Sequence, residues 1–256
     1  MNEVSKVIIG KQENLRRVTI GILSNGNMLI EDFPGLAKTL MANTFSSALG
    51  CKFKRVQFTP DLLPADVMGT YMYDQKSGEF KLRAGPLFSN ILLADEINRA
   101  PPKTQAALLE AMEEKQVTIE GITHKLPAPF VVLATQNPIE QEGTYPLPEA
   151  QMDRFLMKMS MGYPDRAEEK AILARRKLRG KDQHDVEQIT SPKKVVAMQK
   201  ALETVHVDPA ILAYIVEIVQ RTREDHRVVN GASPRASQAL FKTGRASAAI
   251  ANRSYV

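Results

Sequence analysis

The 256-residue sequence is poor in cysteine and tryptophan, with one Cys and no Trp. The single thiol, Cys51, excludes an internal disulfide framework and a cysteine-based zinc site, and it fits a reducing compartment. No apolar run approaches the ~18–20 residues that a membrane helix needs. Residues 1–14 carry charged side chains and lack the apolar stretch of a secretory signal. We therefore expect a cytoplasmic protein without a membrane span.

The excess of positive charge belongs to the C-terminal part. Residues 1–164 hold 17 basic and 18 acidic side chains (net −1), whereas residues 165–256 hold 17 and 11 (net +6). Tyr214, Phe241 and Tyr255 are the aromatic residues of that second part, which is too few for a base-stacking platform. The pattern favours a solvated helical face. A nucleic-acid motor is the weaker alternative, supported by the basic residues of segment 175–181.

The first two thirds of the chain alternate between strand and helix patterns. Short runs rich in branched and aromatic residues predict strands at 27–31, 53–58, 91–95, 130–135 and 155–161. Apolar residues at helical spacing predict helices at 39–49 and 101–115. Such alternation predicts an α/β fold, with a mostly parallel sheet covered on both faces.

After Pro164 the pattern changes to helices alone. We predict them at 167–178, 192–205, 209–224 and 234–252, each preceded by a candidate N-cap: Asp165, Ser191, Asp208 and Ser233. The sequence thus predicts two units, an α/β core of residues 1–164 and a small all-α unit of residues 165–256.

A candidate phosphate-binding loop follows the first strand. The run Asp32-Phe33-Pro34-Gly35-Leu36-Ala37-Lys38-Thr39 lies between a strand and a helix, as such a loop requires. Backbone N–H groups there would hold phosphate oxygens, Lys38 would reach the β- and γ-phosphates, and the Thr39 hydroxyl would ligate Mg²⁺. Asp32 and Ala37 stand where the usual pattern has glycine. Taken alone, the run is also compatible with a plain strand-turn-helix.

Polar side chains end two further predicted strands. Asp95 and Glu96 follow an apolar run, so Asp95 would hold Mg²⁺ through water and Glu96 would act as general base, a role worth ~10²–10⁴ in rate. The alternative is an acidic turn. Asn137 follows the 130–135 strand and would orient the attacking water, or would simply form a turn with Pro138.

Arg154 precedes the last predicted strand, on the edge of a helix. It would lie far from its own phosphates and suit insertion into a neighbouring subunit's site, where a guanidinium is worth ~10³–10⁵ in kcat. The alternative is a surface ion pair with Asp153 or Glu149, which contributes little.

Two long blocks carry a family resemblance. They are Gly85-Pro86-Leu87-Phe88 through Asp95-Glu96-Ile97-Asn98-Arg99-Ala100-Pro101-Pro102-Lys103-Thr104-Gln105, and Glu142-Gly143-Thr144-Tyr145-Pro146-Leu147-Pro148-Glu149-Ala150-Gln151-Met152-Asp153-Arg154-Phe155. From about Val4 onward the chain resembles the MoxR family of AAA+ ATPases. The resemblance implies a P-loop αβα sandwich with a mostly parallel five-stranded sheet, followed by a helical lid that is incomplete at its C-terminal end.

The resemblance also implies residue roles. Lys38 and Thr39 would belong to Walker A, Asp95 and Glu96 to Walker B. Asn137 would be sensor 1, Arg154 the arginine finger, and Arg235 a sensor 2 contact to the γ-phosphate from the lid. The implied ATP-binding set is Ile9, Gly10, Asp32, Phe33, Pro34, Gly35, Leu36, Ala37, Lys38, Thr39, Leu40 and Asp95, with Thr39 and Asp95 serving Mg²⁺.

Members of this family form rings, commonly hexamers, and act as chaperone-like remodellers with von Willebrand factor A-domain partners in complex maturation or metal-cofactor insertion. The resemblance further implies inserted hairpins at 66–88 and 117–126, which would be solvent-exposed or face a partner. A catalytically weak nucleotide-binding assembly module is the alternative function, because Asp32 adds a negative charge beside the polyphosphate and the lid is short.

Overall fold

The computed structural model describes residues 1–138 and 143–256, so Glu142, the first residue of the second block, lies outside the described residues. The central sheet contains β1 (Met28–Glu31), β2 (Phe53–Gln57), β5 (Ile91–Asp95), β8 (Val131–Gln136) and β9 (Met157–Met159). Its strands are parallel and follow the order β2-β5-β8-β1-β9. The five predicted strands and the α/β fold class are confirmed. The last strand is shorter than predicted.

Helices α1 (Asn2–Ser5), α2 (Gln12–Leu23), α3 (Lys38–Leu49), α4 (Pro64–Met68), α5 (Pro102–Glu114) and α6 (Glu149–Met152) accompany this sheet. One apolar layer packs Leu15 and Val18 of α2 and Met41 and Phe45 of α3 against one sheet face. The other face is covered by a layer that includes Leu108 and Met112 of α5. Because all five strands run parallel, their carboxyl ends, with the polar residues that follow them, meet at one edge of the sheet.

Both predicted hairpins are present. Strands β3 (Gly69–Asp74) and β4 (Glu79–Ala84) pair antiparallel, as do β6 (Gln116–Ile119) and β7 (Ile122–Lys125). The two hairpins touch through a hydrogen bond of 3.1 Å between the Tyr71 hydroxyl and His124 Nε2.

The C-terminal part is helical, with α7 (Arg166–Arg179), α8 (Pro192–Ala201), α9 (Pro209–Glu224) and α10 (Pro234–Ile250). Asp165, Asp208 and Ser233 accept capping hydrogen bonds from backbone N–H groups, whereas Ser191 occupies the N-cap position without one. Helix α8 ends before the predicted residue 205 because residues 202–204 form a 3-10 turn. Within the described ranges, no helix is both long and apolar enough to cross a membrane.

Candidate functional site

A cavity of about 460 Å³ lies where β1, β5 and β8 end at the carboxyl edge of the sheet. It is lined by Asp32, Pro34, Gly35, Leu36, Ala37, Lys38, Thr39, Leu40, Arg55, Gln57, Asp95, Glu96, Thr135 and Asn137. The edge position is the expected one for ligands in open α/β sheets. The fold therefore brings together the predicted lysine, both carboxylates and the predicted asparagine.

The loop before α3 uses two left-handed residues to turn the chain into the helix. Gly35 has φ +85° and Ala37, the N-cap, has φ +56°. A Cβ built on Gly35 would meet nothing within 4 Å, so backbone conformation, not crowding, favours glycine there. The Lys38 ammonium donates to the carbonyl of Asp32 at 3.1 Å. The helix N-terminus and this ammonium together give the cavity a positive wall.

The Asp32 carboxylate is buried and bound by donors from the chain leaving β9. It accepts from Ser160 Oγ at 2.7 Å, from the Gly162 N–H at 3.3 Å and from the Met161 N–H. Three hydrogen bonds therefore stabilise the carboxylate, and the side chain fastens the loop to the segment that leads into α7. That Asp32 weakens nucleotide binding stays a prediction.

The two carboxylates at the end of β5 are held by different groups. Asp95 Oδ1 accepts from Thr135 Oγ1 at 2.5 Å, and Asp95 Oδ2 accepts from Arg55 Nη2 at 2.6 Å. Glu96 Oε2 accepts from Gln57 Nε2 at 2.7 Å and from Arg99 Nη1 at 2.9 Å. Glu96 has φ +56°, a conformation that non-glycine residues seldom adopt and that often marks functional positions.

Sequence reasoning missed Arg55, Gln57 and Thr135 as site residues. Gln57 of β2 lies opposite Asp95 of β5, and Arg55 lies two residues earlier on the same face of the strand. Polar residues at alternate positions of a predicted strand were the available signal. The signal indicates site residues only once the pairing of β2 with β5 is known.

The donors and acceptors of this cavity fit a nucleotide polyphosphate with Mg²⁺. The Lys38 ammonium and the N-terminus of α3 are anion-binding groups, whereas the Asp95 carboxylate and Thr39 hydroxyl are the hard oxygen ligands that Mg²⁺ prefers. Asn137, at the end of β8, is buried and lines the same cavity. The cationic wall can bind the phosphates of such a ligand, and the anionic wall can bind its Mg²⁺.

A second, mostly apolar cavity of about 300 Å³ adjoins the first and shares Gly35, Leu36, Ala37 and Leu40 with it. Its other walls include Ile8 and Ile9 of the N-terminal segment and Ile172 of α7. Ile9, a member of the ATP-binding set that the resemblance implies, lines this cavity, and Gly10 of the same set adjoins it between Ile9 and the lining residue Lys11.

Phe33, predicted to contact nucleotide, lines neither of these cavities. Its side chain is exposed, with its ring centroid 5.8 Å from that of Tyr163.

The two predicted catalytic arginines lie away from the cavity that holds Lys38. Both form ion pairs with Glu113. Arg154 Nη1 lies 3.3 Å from Glu113 Oε2, and Arg235 Nη2 pairs with Glu113 Oε1. They line a separate cleft of about 420 Å³ between core and C-terminal helices. Arg235 thus lines a different cleft from the cavity formed by Lys38 of its own chain, and its predicted contact with a γ-phosphate stays a prediction.

Glu149 and Asp153, the alternative partners of Arg154, bind other groups. Glu149 accepts from Asn230 Nδ2, and both Asp153 oxygens accept from Ser233 Oγ at 2.8 Å. Arg154 forms its ion pair with Glu113 instead of with Glu149 or Asp153.

Sequence and structure comparisons agree on the family. Residues 27–157 match the model of the ATPase family associated with various cellular activities (AAA), and residues 220–256 match the AAA lid domain. The chain is 47% identical over 256 residues to the uncharacterized protein YeaC of Bacillus subtilis, covering 100% of this chain and 80% of that protein. It is 45% identical over 263 residues to the chaperone MoxR1 of Mycobacterium tuberculosis, covering 99% of this chain and 69% of the relative.

A solved structure of a candidate ATPase from Cytophaga hutchinsonii superposes with a TM-score of 0.91 at 45% identity, covering 100% of this chain and 80% of that one. The cavity at the carboxyl ends of β1, β5 and β8, the helical C-terminal part and these relatives lead to one conclusion: the chain belongs to the MoxR family of AAA+ ATPases.

Proposed function

We propose that this protein is a Mg²⁺-dependent ATPase that hydrolyses ATP in the cavity at the carboxyl edge of the sheet. One observation carries the proposal: Lys38, Asp95, Glu96 and Asn137, which come from three different strand ends, line the same cavity. A catalytic lysine, a metal-binding carboxylate, a base and a water-orienting amide are the parts that phosphoryl transfer to water requires.

Each side chain has a distinct part in the proposed reaction. Lys38 and the N-terminus of α3 bind the phosphates, and Asp95 with Thr39 would hold Mg²⁺, which when bound offsets phosphate charge. Glu96 takes the proton of the attacking water, with its carboxylate oriented by Gln57 and Arg99. Asn137 orients that water without titrating.

The position of the arginines supports assembly into a ring. Because Arg154 and Arg235 line a cleft separate from the cavity of Lys38, we propose that they act on nucleotide bound by a neighbouring subunit. A guanidinium supplied in trans is an established way to stabilise charge on the transferring group. A hexamer is the proposed assembly on family resemblance.

We propose that the protein acts in the cell as a chaperone-like remodeller of other proteins. The relative named chaperone MoxR1, 45% identical, supports this assignment. The hairpins β3–β4 and β6–β7 are the proposed contacts to protein, and a von Willebrand factor A-domain protein is the proposed partner, in the cytoplasm. The catalytically weak assembly module stays the alternative function, and the three hydrogen bonds that stabilise Asp32 within the protein favour the active ATPase over it.

Glu96→Gln tests the proposal. We expect Mg²⁺-ATP to bind with unchanged affinity, while phosphate release falls by about 10²-fold or more because the base is lost. Glu79→Gln, at an exposed hairpin position, is the matched control and should retain wild-type turnover. Wild-type turnover in Glu96→Gln would contradict the assigned base, and negligible turnover in the unaltered protein at every concentration would favour the assembly module.

A further inference from the structure

One carboxylate, Glu113, is shared by the two arginines of the core–lid cleft. Glu113 Oε2 lies 3.3 Å from Arg154 Nη1, and Glu113 Oε1 accepts from Arg235 Nη2. Glu113 is near the end of α5, Arg154 follows α6, and Arg235 lies in the first turn of α10. The contact therefore joins three elements that are distant in sequence.

A second set of contacts binds the elements that carry these arginines. Ser233 Oγ donates to both carboxylate oxygens of Asp153 at 2.8 Å each, and the same Ser233 caps α10. Asn230 Nδ2 donates to Glu149, the first residue of α6. Asp153 adjoins Arg154 and Ser233 lies two residues before Arg235, so these contacts join the two segments that carry the arginines.

The charge of the cleft explains why a shared acid is needed. Lys115 and Lys242 line it together with the two arginines, against Glu113 and Asp153. Two guanidinium groups that must reach one anionic ligand repel each other until that ligand is present. A carboxylate with one oxygen for each guanidinium offsets this repulsion and sets their directions. The ion pairs are partly exposed, so they add little to the stability of the fold.

We propose that Glu113 is a positioning residue that holds Arg154 and Arg235 as one preformed pair for the phosphate bound by a neighbouring subunit. This inference rests on the proposed function. On binding, the phosphate oxygens replace Glu113 as partners of the guanidinium groups. In this proposal Glu113 contacts neither ATP nor the attacking water and acts through the arginines alone.

The test is steady-state ATP turnover of the full chain with Glu113→Gln, Glu113→Asp and Glu114→Gln. Glu114 is the next residue on the same helix, exposed and, among the described residues, without an ion pair of its own. We expect kcat of Glu113→Gln to fall by about tenfold, since small errors in orientation are costly, with KM for ATP and the unfolding midpoint nearly unchanged. Glu113→Asp should recover part of kcat, and Glu114→Gln should equal wild type.

Arg154→Ala distinguishes the positioning role of Glu113 from the proposed function. If Arg154→Ala loses turnover while Glu113→Gln keeps wild-type kcat, the positioning role is wrong and the proposed function stands. If Arg154→Ala itself keeps wild-type turnover, the trans-arginine part of the proposed function is wrong, and this inference falls with it. A loss of turnover in Glu113→Gln that merely follows a loss of folded protein also contradicts the positioning role.

Discussion

The hydroxyl of Thr135 donates to Asp95 Oδ1 at 2.5 Å and at the same time accepts from the backbone N–H of Glu96 at 2.8 Å. Thr135 is fully buried near the end of β8, beside β5. A single side chain of β8 thus binds the carboxylate of Asp95 and the backbone of Glu96 at the end of β5. The Glu96 backbone that accepts this support is left-handed.

Thr135→Val should therefore damage the site without changing the shape of the core. Valine fills the same volume but leaves the Glu96 N–H without this partner, which costs about 1–3 kcal/mol of the free energy of unfolding. We expect ATP turnover to fall by roughly tenfold, because Asp95 loses the hydrogen-bond donor that orients its carboxylate. Thr135→Ser keeps the hydroxyl and should retain most of the turnover. Equal behaviour of the two variants would show that the hydroxyl is unimportant.

Asp32→Gly, which restores the usual loop residue, should lower stability and leave nucleotide affinity without improvement. The substitution removes an acceptor for three donors of segment 160–162, of which the Met161 N–H is buried, and a buried donor left unpaired costs about 1–3 kcal/mol. Thermal unfolding and fluorescent-nucleotide titration measure the two effects. Ser160→Ala, which removes one donor only, should show a smaller loss. Tighter nucleotide binding with unchanged stability would restore the view of Asp32 as a defect.

Ala37→Gly, unlike Asp32→Gly, should not lower stability, although Ala37 and Asp32 both stand where the usual loop pattern has glycine. Ala37 has φ +56°, and a left-handed conformation costs a non-glycine residue about 1–2 kcal/mol. Glycine removes this strain, but its greater freedom in the unfolded chain offsets part of the stabilisation. We therefore expect the free energy of unfolding to stay unchanged or to rise by up to about 1 kcal/mol. Ala42→Gly, inside α3, is the control and should lower stability by about 1 kcal/mol or more. A similar loss in both variants would contradict the strain at Ala37.

Lys115 gives the protein a specific pH dependence. Burial, together with the nearby Lys242, lowers the pKa of Lys115 from 10.5 to about 8. Between these values the unfolded chain binds a proton that the folded protein does not, so stability should rise with pH across this window, by up to about 3 kcal/mol. Lys115→Met should remove this rise, as measured by urea unfolding from pH 7.5 to 10. Parallel pH profiles for wild type and Lys115→Met would contradict it.

Local chemistry made much of the fold predictable. Strand β5 is a buried apolar run that ends in acids, and α9 begins at Pro209, directly after its cap Asp208, and ends at the predicted residue. The loop before α3 was predictable because Lys38 and Thr39 follow a strand and open a helix. In each case, the signal is contained within about fifteen consecutive residues.

The features that were missed depend on contacts between distant segments. The partners of Asp32 are about 130 residues away, and nothing in the loop itself shows that its carboxylate meets the chain after β9. The role of Arg55 and Gln57 depends on the pairing of β2 with β5. The position of Arg235 follows from how α10 packs against α2 and α9, which a helical pattern does not specify.

A subunit-mixing experiment tests the central claim most directly, that each cavity uses the base of its own chain and the arginines of a neighbour. Arg154→Ala keeps Glu96, and Glu96→Gln keeps Arg154, so each variant alone should be nearly inactive. Mixed before assembly, they form junctions where an intact Glu96 meets an intact Arg154, and we predict that ATP turnover returns to a substantial fraction of wild type. A mixture no more active than its separate components would contradict the account, provided that the two variants are shown to co-assemble.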